Sequence, residues 1–389
     1  LRVLAAVSAN DSVDPLTPFL ADPQPVVRTA AVEALAARPC SEAITRITPA
    51  VVDRNDPRSW IPVYGLLERC TLRDGEVIVR PPVPADAGPY IRAALIDVAT
   101  KDPQGIPVDS MVALFSRDVH PVLRQAGLQG AIRHARDVMA RSRYATREAQ
   151  YAQLGQVLRA AIATGDAGLI SAAAEELAKE EPDAIRVMLD PVTERKALEA
   201  LAPIRDLEAR LLLQQVVAKR DGSVPPANQR PAFNHPIAKD RLRALEQGQQ
   251  YRIVTTQGEV IIATDVNGCP GTSLAFDSLV VAGYYNGRSF HRMVPNFVVQ
   301  GGCPRGDGYG GMDWTLRTEI GWKPFTAGSV GLASAGPDTE SCQFFITHSA
   351  TPHLDGRYTR FGEVVSGMDV VWKLRVGDVM ERVERIERP

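Results

Sequence analysis

Four prolines, Pro25, Pro57, Pro89 and Pro121, stand 32 residues apart each time, and a fixed period of that length limits the front of this chain to a stack of similar units. Arg28, Arg92 and Arg124 follow three of these prolines by three residues, and Ala30, Ala94 and Ala126 follow by five. Val32, Tyr64, Ile96 and Leu128 take the seventh place, and Leu35, Leu67, Ala99 and Ala131 the tenth. Apolar residues at these offsets share one face of a helix. Proline suits the first turn of a helix, where its missing N–H has no intrahelical partner to lose. Each unit therefore reads as a helix, a turn holding Asp22-Pro23 or its equivalent, and a second helix begun near the proline. The second unit is degenerate, with Trp60 and Pro62 in place of Arg and Ala.

The first unit resembles a HEAT-type repeat, with Leu16, Phe19 and Leu20, then Asp22-Pro23, Val27-Arg28, Ala30-Ala31 and Ala34-Leu35. Such helix pairs bury their apolar faces only by stacking, which predicts an α-solenoid whose surface receives a protein partner. The repeat arginines read as scaffolding. Beyond about residue 140 the period fades, but Tyr151 to Ala163, Gly168 to Lys179 and Asp206 to Lys219 keep helical spacing, so the solenoid is extended over residues 1–220. Residues 221–249 read as a linker carrying Pro225, Pro226, Pro231 and Pro236, with a lead-in helix from Lys239 to Gln247.

The last third changes texture. Tyr251 to Thr256 and Glu259 to Thr264 are β-rich runs around the hairpin signal Gln257-Gly258. Thr272 to Val281 carries Phe276, Leu279 and Val280 at helical spacing after a Ser/Thr start, and Met368, Val371 and Trp372 form a second apolar helical face. Phe290 to Gly302 is a strand-like run in which Arg292, Val298 and Gln300 share a parity, while Phe297 is shifted by the turn signal Pro295-Asn296. A buried Arg is costly unless paired or used, so Arg, Phe and Gln together suggest a cleft gripping a polar amide between apolar walls.

Three motifs in order, FHR-x-x-P-x-F-x-x-QGG from Phe290, A-G-P-x-T with QFFI from Ala335 to Ile346, and LDG with FG from Leu354 to Gly362, make the chain from about Tyr251 to Leu374 resemble the cyclophilin family of peptidyl-prolyl cis-trans isomerases. The resemblance implies an eight-stranded closed antiparallel barrel with two capping helices over residues 250–389. It also implies isomerase activity on X–Pro bonds of peptides and flexible proteins, with no cofactor. By the same resemblance Arg292, Phe297 and Gln300 are catalytic, and Val298, Phe345 and Leu354 line the proline pocket. Ala333 and Ser334 bind extended substrate backbone, and Tyr358 stacks on proline. The family usually has Met in place of Val298, Asn in place of Ser334 and, in eukaryotic members, His in place of Tyr358. His353 stands where the best-known members carry a Trp that contacts cyclosporin, so weak cyclosporin binding is expected. The alternative reading is a non-catalytic proline-peptide scaffold or chaperone; the intact Arg292, Phe297, Gln300 and Phe345 favour the enzyme.

At 389 residues the chain is long enough for two domains or more. A net charge of -2 points neither to nucleic acid nor to an anionic membrane, and no apolar run approaches a membrane span. The start at Leu1 is read as a sign of processing, which favours an exported bacterial protein over a cytoplasmic one. Cys40, Cys70, Cys269, Cys303 and Cys342 lack metal-ligand spacing; Cys40 and Cys70 could pair in an exported protein, and Cys303 and Cys342 flank site positions. Gly306, Gly308, Gly310 and Gly311 read as a flexible rim of the groove, and His291, of opposite parity to Arg292, as structural.

Overall fold

The computed structural model describes residues 16–22, 87–100, 108–117, 119–142, 145–225 and 237–387, together with 27, 28, 30, 31 and 34. Pro25, Pro57, the second repeat, Cys40, Cys70 and residues 226–236 of the expected linker lie outside the described residues. The chain divides into two compact units, residues 1–143 and 144–389. The helices expected to close the solenoid thus group with the barrel instead. Helical periodicity alone does not say which neighbour a helix packs against.

In the first unit α1 (Pro89–Ala99) and α3 (Pro121–Arg141) begin at the expected prolines, with α2 (Val108–Ser116) between them. Ala93, Leu123 and Ala126 are buried together, and Gly130 lets α3 approach Met111 and Thr100, where a Cβ would meet both at 2.7 Å. Arg28 donates to the Asp22 carbonyl (2.7 Å) and Arg124 to the Phe115 carbonyl (2.8 Å). The two arginines, at the same place in their units, satisfy carbonyls just before their own helices, which is a scaffolding task.

The second unit opens with α4 (Arg147–Ala163), α5 (Ala167–Leu177), α6 (Pro182–Met188), α7 (Pro191–Ala200) and α8 (Leu207–Asp221). Their starts are written locally. Thr146, Asp166 and Asp190 cap α4, α5 and α7 by accepting backbone N–H groups, and Pro182 and Pro191 open α6 and α7. The small α6 and α7 escape a sequence reading because neither spans enough turns to show a periodic face. The lead-in helix α9 (Lys239–Arg243) is shorter than expected, since Gln247 leaves the helix to donate to Asp265 (2.9 Å) and accept from the Asn267 N–H (2.8 Å).

Eight strands follow: β1 (Gln250–Thr255), β2 (Gly258–Thr264), β3 (Arg288–Val294), β4 (Val298–Gly301), β5 (Ser329–Leu332), β6 (Phe344–Thr347), β7 (Arg360–Ser366) and β8 (Val379–Arg385). They close an antiparallel barrel in the order β1-β2-β7-β5-β6-β4-β3-β8. A closed sheet leaves no unpaired edge. β1 and β2 pair from Gln250↔Ala263 to Thr255↔Gly258, and Gly258, at φ 127°, makes the turn that a side chain would strain. Two helices, α10 (Pro270–Val281) and α11 (Met368–Val371), complete the barrel. The first of these starts at Pro270, two residues before the expected Thr272, and the residue that precedes it, Cys269, gives no side-chain cap. Glu319, 48 residues on, accepts the Gly271 and Thr272 N–H groups (2.9 and 2.8 Å), placing a carboxylate at the positive end of the helix.

Inside, Phe276 of α10 contacts Tyr251, Tyr285, Phe344 and Phe361 with ring centroids 5.1–5.7 Å apart. A second, smaller apolar cluster lies apart from this core: Val298, Phe325, Phe345 and Leu354, with Phe297 and Tyr358 packed against it. β6 is therefore buried on both faces. Phe344 and Ile346 face the barrel interior, and Phe345 belongs to the outer cluster.

Candidate functional site

The outer cluster floors a groove with a cavity of about 540 Å³. The strand-like run that supplies it is two strands, β3 and β4, joined by a turn in which Asn296 takes φ 59°. Their register sets Arg292 opposite Gln300, and Gln300 in turn faces Phe345 of β6. Nine of the ten residues expected from sequence, Arg292, Phe297, Val298, Gln300, Ala333, Ser334, Phe345, Leu354 and Tyr358, border this groove. His353 does not; it lies exposed on the rim, its ring 5.2 Å from that of Phe297.

The side chain of Arg292 is exposed to the open groove. One nitrogen donates to Gln300 Oε1 (3.4 Å), and the guanidinium lies 6.0 Å from the Phe297 ring centre. No carboxylate pairs with it among the described residues. It is held by a neutral amide and an aromatic face, so its remaining donors are available to a ligand. Gln300 donates onward to Gln343 Oε1 (3.0 Å), and Gln343 donates to the carbonyls of Gly308 (2.7 Å) and Gly310 (2.8 Å). Arg292, Gln300, Gln343 and the glycine loop thus form one chain of hydrogen bonds. The QFFI motif by itself gives Gln343 no role; only the fold shows what its amide joins.

The apolar end has its own order. Phe345 stacks on Phe325 (5.8 Å) and meets Tyr358 edge-on (6.1 Å). Beneath it Gly331 is required, since a Cβ there would stand 2.5 Å from the Phe345 ring. Phe325 escapes the sequence reading because it sits in no strand or motif and is fixed by a remote bond, its N–H donating to Asp355 (2.7 Å). Ala333 is anchored through its N–H to the Gln343 carbonyl (3.0 Å). The Ser334 hydroxyl is engaged by its own turn, donating to the Gly336 carbonyl and lying 3.2 Å from the Thr339 hydroxyl, so that position offers backbone rather than side chain.

The glycine loop is not the flexible rim expected from its composition. Arg305 holds Asp307 (2.9 Å) and also Asp166 at the start of α5 (2.8 Å), and Tyr309 donates to Glu175 of α5 (3.3 Å). These anchors pin the loop, and none is visible from the local run of glycines.

His291 borders the groove, yet burial drives its pKa down to about 4. Gln343 and the Ser289 backbone lie within hydrogen-bonding reach and favour the charged form, but burial outweighs them. A neutral, enclosed imidazole is a poor proton relay near neutrality. We expect the catalysed isomerisation rate, followed by NMR exchange, to be flat from about pH 6 to about pH 8; a step near the ordinary histidine range would assign His291 a proton-transfer role. Cys269, Cys303 and Cys342 are buried free thiols. Burial raises all three, Cys269 to about 12 and Cys342 to about 11, so the reactive thiolate is disfavoured at each. Among the described residues no cluster of metal-ligating side chains occurs.

A family model for "Cyclophilin type peptidyl-prolyl cis-trans isomerase/CLD" matches residues 251–388. The chain is 47% identical over 120 residues to peptidyl-prolyl cis-trans isomerase B of Bacillus subtilis, a match covering 30% of this chain and 83% of that protein. It is 38% identical over 135 residues to a peptidyl-prolyl cis-trans isomerase of Helicobacter pylori, covering 34% of this chain and 83% of that protein. A solved structure of a cyclophilin type peptidyl-prolyl cis-trans isomerase from Cryptosporidium parvum is 29% identical, covers 36% of this chain and 99% of that chain, and gives a TM-score of 0.35.

Proposed function

Because the chain belongs, through residues 251–388, to the cyclophilin family and its barrel is a peptidyl-prolyl cis-trans isomerase, we propose that the groove accelerates X–Pro rotation without covalent chemistry, with Arg292 as the decisive donor. The barrier of roughly 18–20 kcal/mol is amide resonance. As the bond twists, the imide nitrogen becomes pyramidal and regains its lone pair. A guanidinium aimed at that nitrogen binds the twisted state better than either planar isomer. Acceleration by ~10⁴ to 10⁵ asks for only about 5.5–7 kcal/mol.

The observation that carries this reading is the open guanidinium of Arg292, steadied by Gln300 and Phe297, beside an apolar floor. Val298, Phe345 and Leu354 hold the proline ring, with Tyr358 stacking at its side. Gln300 orients Arg292 and binds substrate amide, while Ala333 and Ser334 guide extended backbone. The repeat-bearing helical region, residues 1–220 in this reading, holds or positions the client polypeptide. The test is the cis-to-trans rate of an Ala-Pro-Phe peptide in a protease-free exchange assay; folded protein giving no acceleration over buffer would overturn the reading.

The rim residue His353 bears on inhibition. A Trp there adds apolar area and an indole N–H, so His353→Trp is expected to raise cyclosporin affinity by about tenfold. Titration calorimetry checks this, and equal affinity in both proteins would remove His353 as the cause of weak binding.

A further inference from the structure

The groove has a wall that the barrel does not supply. The Ile204–Glu208 turn, whose last two residues are the first of α8, borders the same cavity as Arg292 and Gln300, on the side of the glycine loop, together with Met312, Thr339 and Ser341. Its backbone is close: a Cβ on Gly311 would lie 3.4 Å from the Arg205 carbonyl oxygen. The helical layer that carries it is fastened at the two anchors already described, Arg305 to Asp166 and Tyr309 to Glu175.

The charges of this wall are not equally free. Asp206 accepts the Ala202 N–H (2.8 Å) and faces the Arg205 guanidinium (3.7 Å), and Asp307 is held by Arg305. The Glu208 side chain forms no hydrogen bond or ion pair among the described residues, although it borders the cavity. It is exposed, so it can meet a ligand without first losing a partner. Although the residue as a whole is exposed, its carboxyl is packed against protein, and this desolvation, followed by the charges of Glu175 and Asp307, raises its pKa.

We propose that the Ile204–Glu208 turn is a specificity wall of the isomerase groove, and that Glu208 selects substrates carrying lysine or arginine within two residues of the proline. The inference rests on the isomerase reading of the groove and names its substrate class. A cationic side chain reaching past the proline pocket would meet the Glu208 carboxylate, with Asp307 and Glu175 behind it. An acidic side chain would meet the same charges and be repelled. The proline pocket itself, being apolar, makes no such distinction.

The test uses the full chain and matched peptides with Lys or Glu at each of the two positions on either side of an Ala-Pro core. For each pair both the exchange-NMR rate and the Kd are measured. The wild type is expected to favour Lys over Glu by about two- to fivefold at one or more positions, and added salt should erode the preference. Glu208→Gln should bring that ratio towards one and Glu208→Lys should invert it. Taking the ratio within each protein cancels any general loss of activity or of folded material. A Lys/Glu ratio that is the same in all three proteins would overturn the proposal. The Kd ratios keep the two readings apart, because a charge preference in binding with no acceleration would remove the isomerase mechanism and leave the wall in place.

Discussion

Arg292→Ala is expected to lower kcat/KM for an X–Pro peptide by about two to three orders of magnitude, the usual effect of deleting one preorganised transition-state donor, while leaving peptide Kd within a few-fold. The split follows from where Arg292 sits. Its side chain is exposed and its one hydrogen bond is to Gln300, so its removal leaves no buried group without a partner and no cavity in the barrel. Binding should persist because the ring-holding residues Val298, Phe345 and Leu354 form a separate apolar cluster. Arg292→Lys should recover little, since one ammonium cannot both accept guidance from Gln300 and reach the imide nitrogen as a planar fork can. Exchange NMR on the full chain measures the rate and the affinity together. A loss below about threefold, or a loss confined to Kd, would move the decisive interaction elsewhere in the groove.

Phe276→Ala is expected to destabilise the barrel by about 3–5 kcal/mol, the range for truncating a buried aromatic. Phe276 is 2% exposed and its ring touches four other aromatic rings drawn from α10's surroundings: Tyr251 on β1, Tyr285 before β3, Phe344 on β6 and Phe361 on β7. Rings at these spacings and tilts also gain by edge-to-face contact beyond the area they bury. Three of the four neighbours, Tyr251, Phe344 and Phe361, are held in place by their strands. Urea unfolding followed at the barrel's near-ultraviolet signal checks this, and a shift under about 1 kcal/mol would mean the helix is not a structural plug. The site should be hit as well, because Phe344 is chain neighbour to Phe345.

The parts of this architecture that the sequence announces are those written at short range. Strand alternation around Gln257-Gly258, the Pro295-Asn296 turn and, of the repeat prolines, Pro89 and Pro121 at the starts of their helices appear in the structure within a residue or two of where the chain suggests them. The groove floor was legible for a different reason, since the three motifs place Arg292, Phe297 and Phe345 by resemblance. What stayed hidden depends on pairs distant in the chain. Arg305 and Asp166 are separated by 139 residues, and nothing near either one names the other. The same holds for Glu319, which caps the start of α10 from 48 residues away. The strand pattern around Arg292 shows which residues share a face, but not by itself whether that face meets a core or an open groove.

The double burial of β4 and β6 bears on how such a protein can change over time. Val299, Phe344 and Ile346 serve the barrel, while Val298 and Phe345, their immediate neighbours, serve the groove. Odd and even positions therefore answer to different selective demands along one short stretch of chain. Replacement at Val298 or Phe345 can retune the ligand with the interior left intact. A one-residue insertion or deletion would exchange the two sets, sending groove residues inward and interior residues out. Substrate preference on this scaffold is open to substitution and closed to changes of strand length.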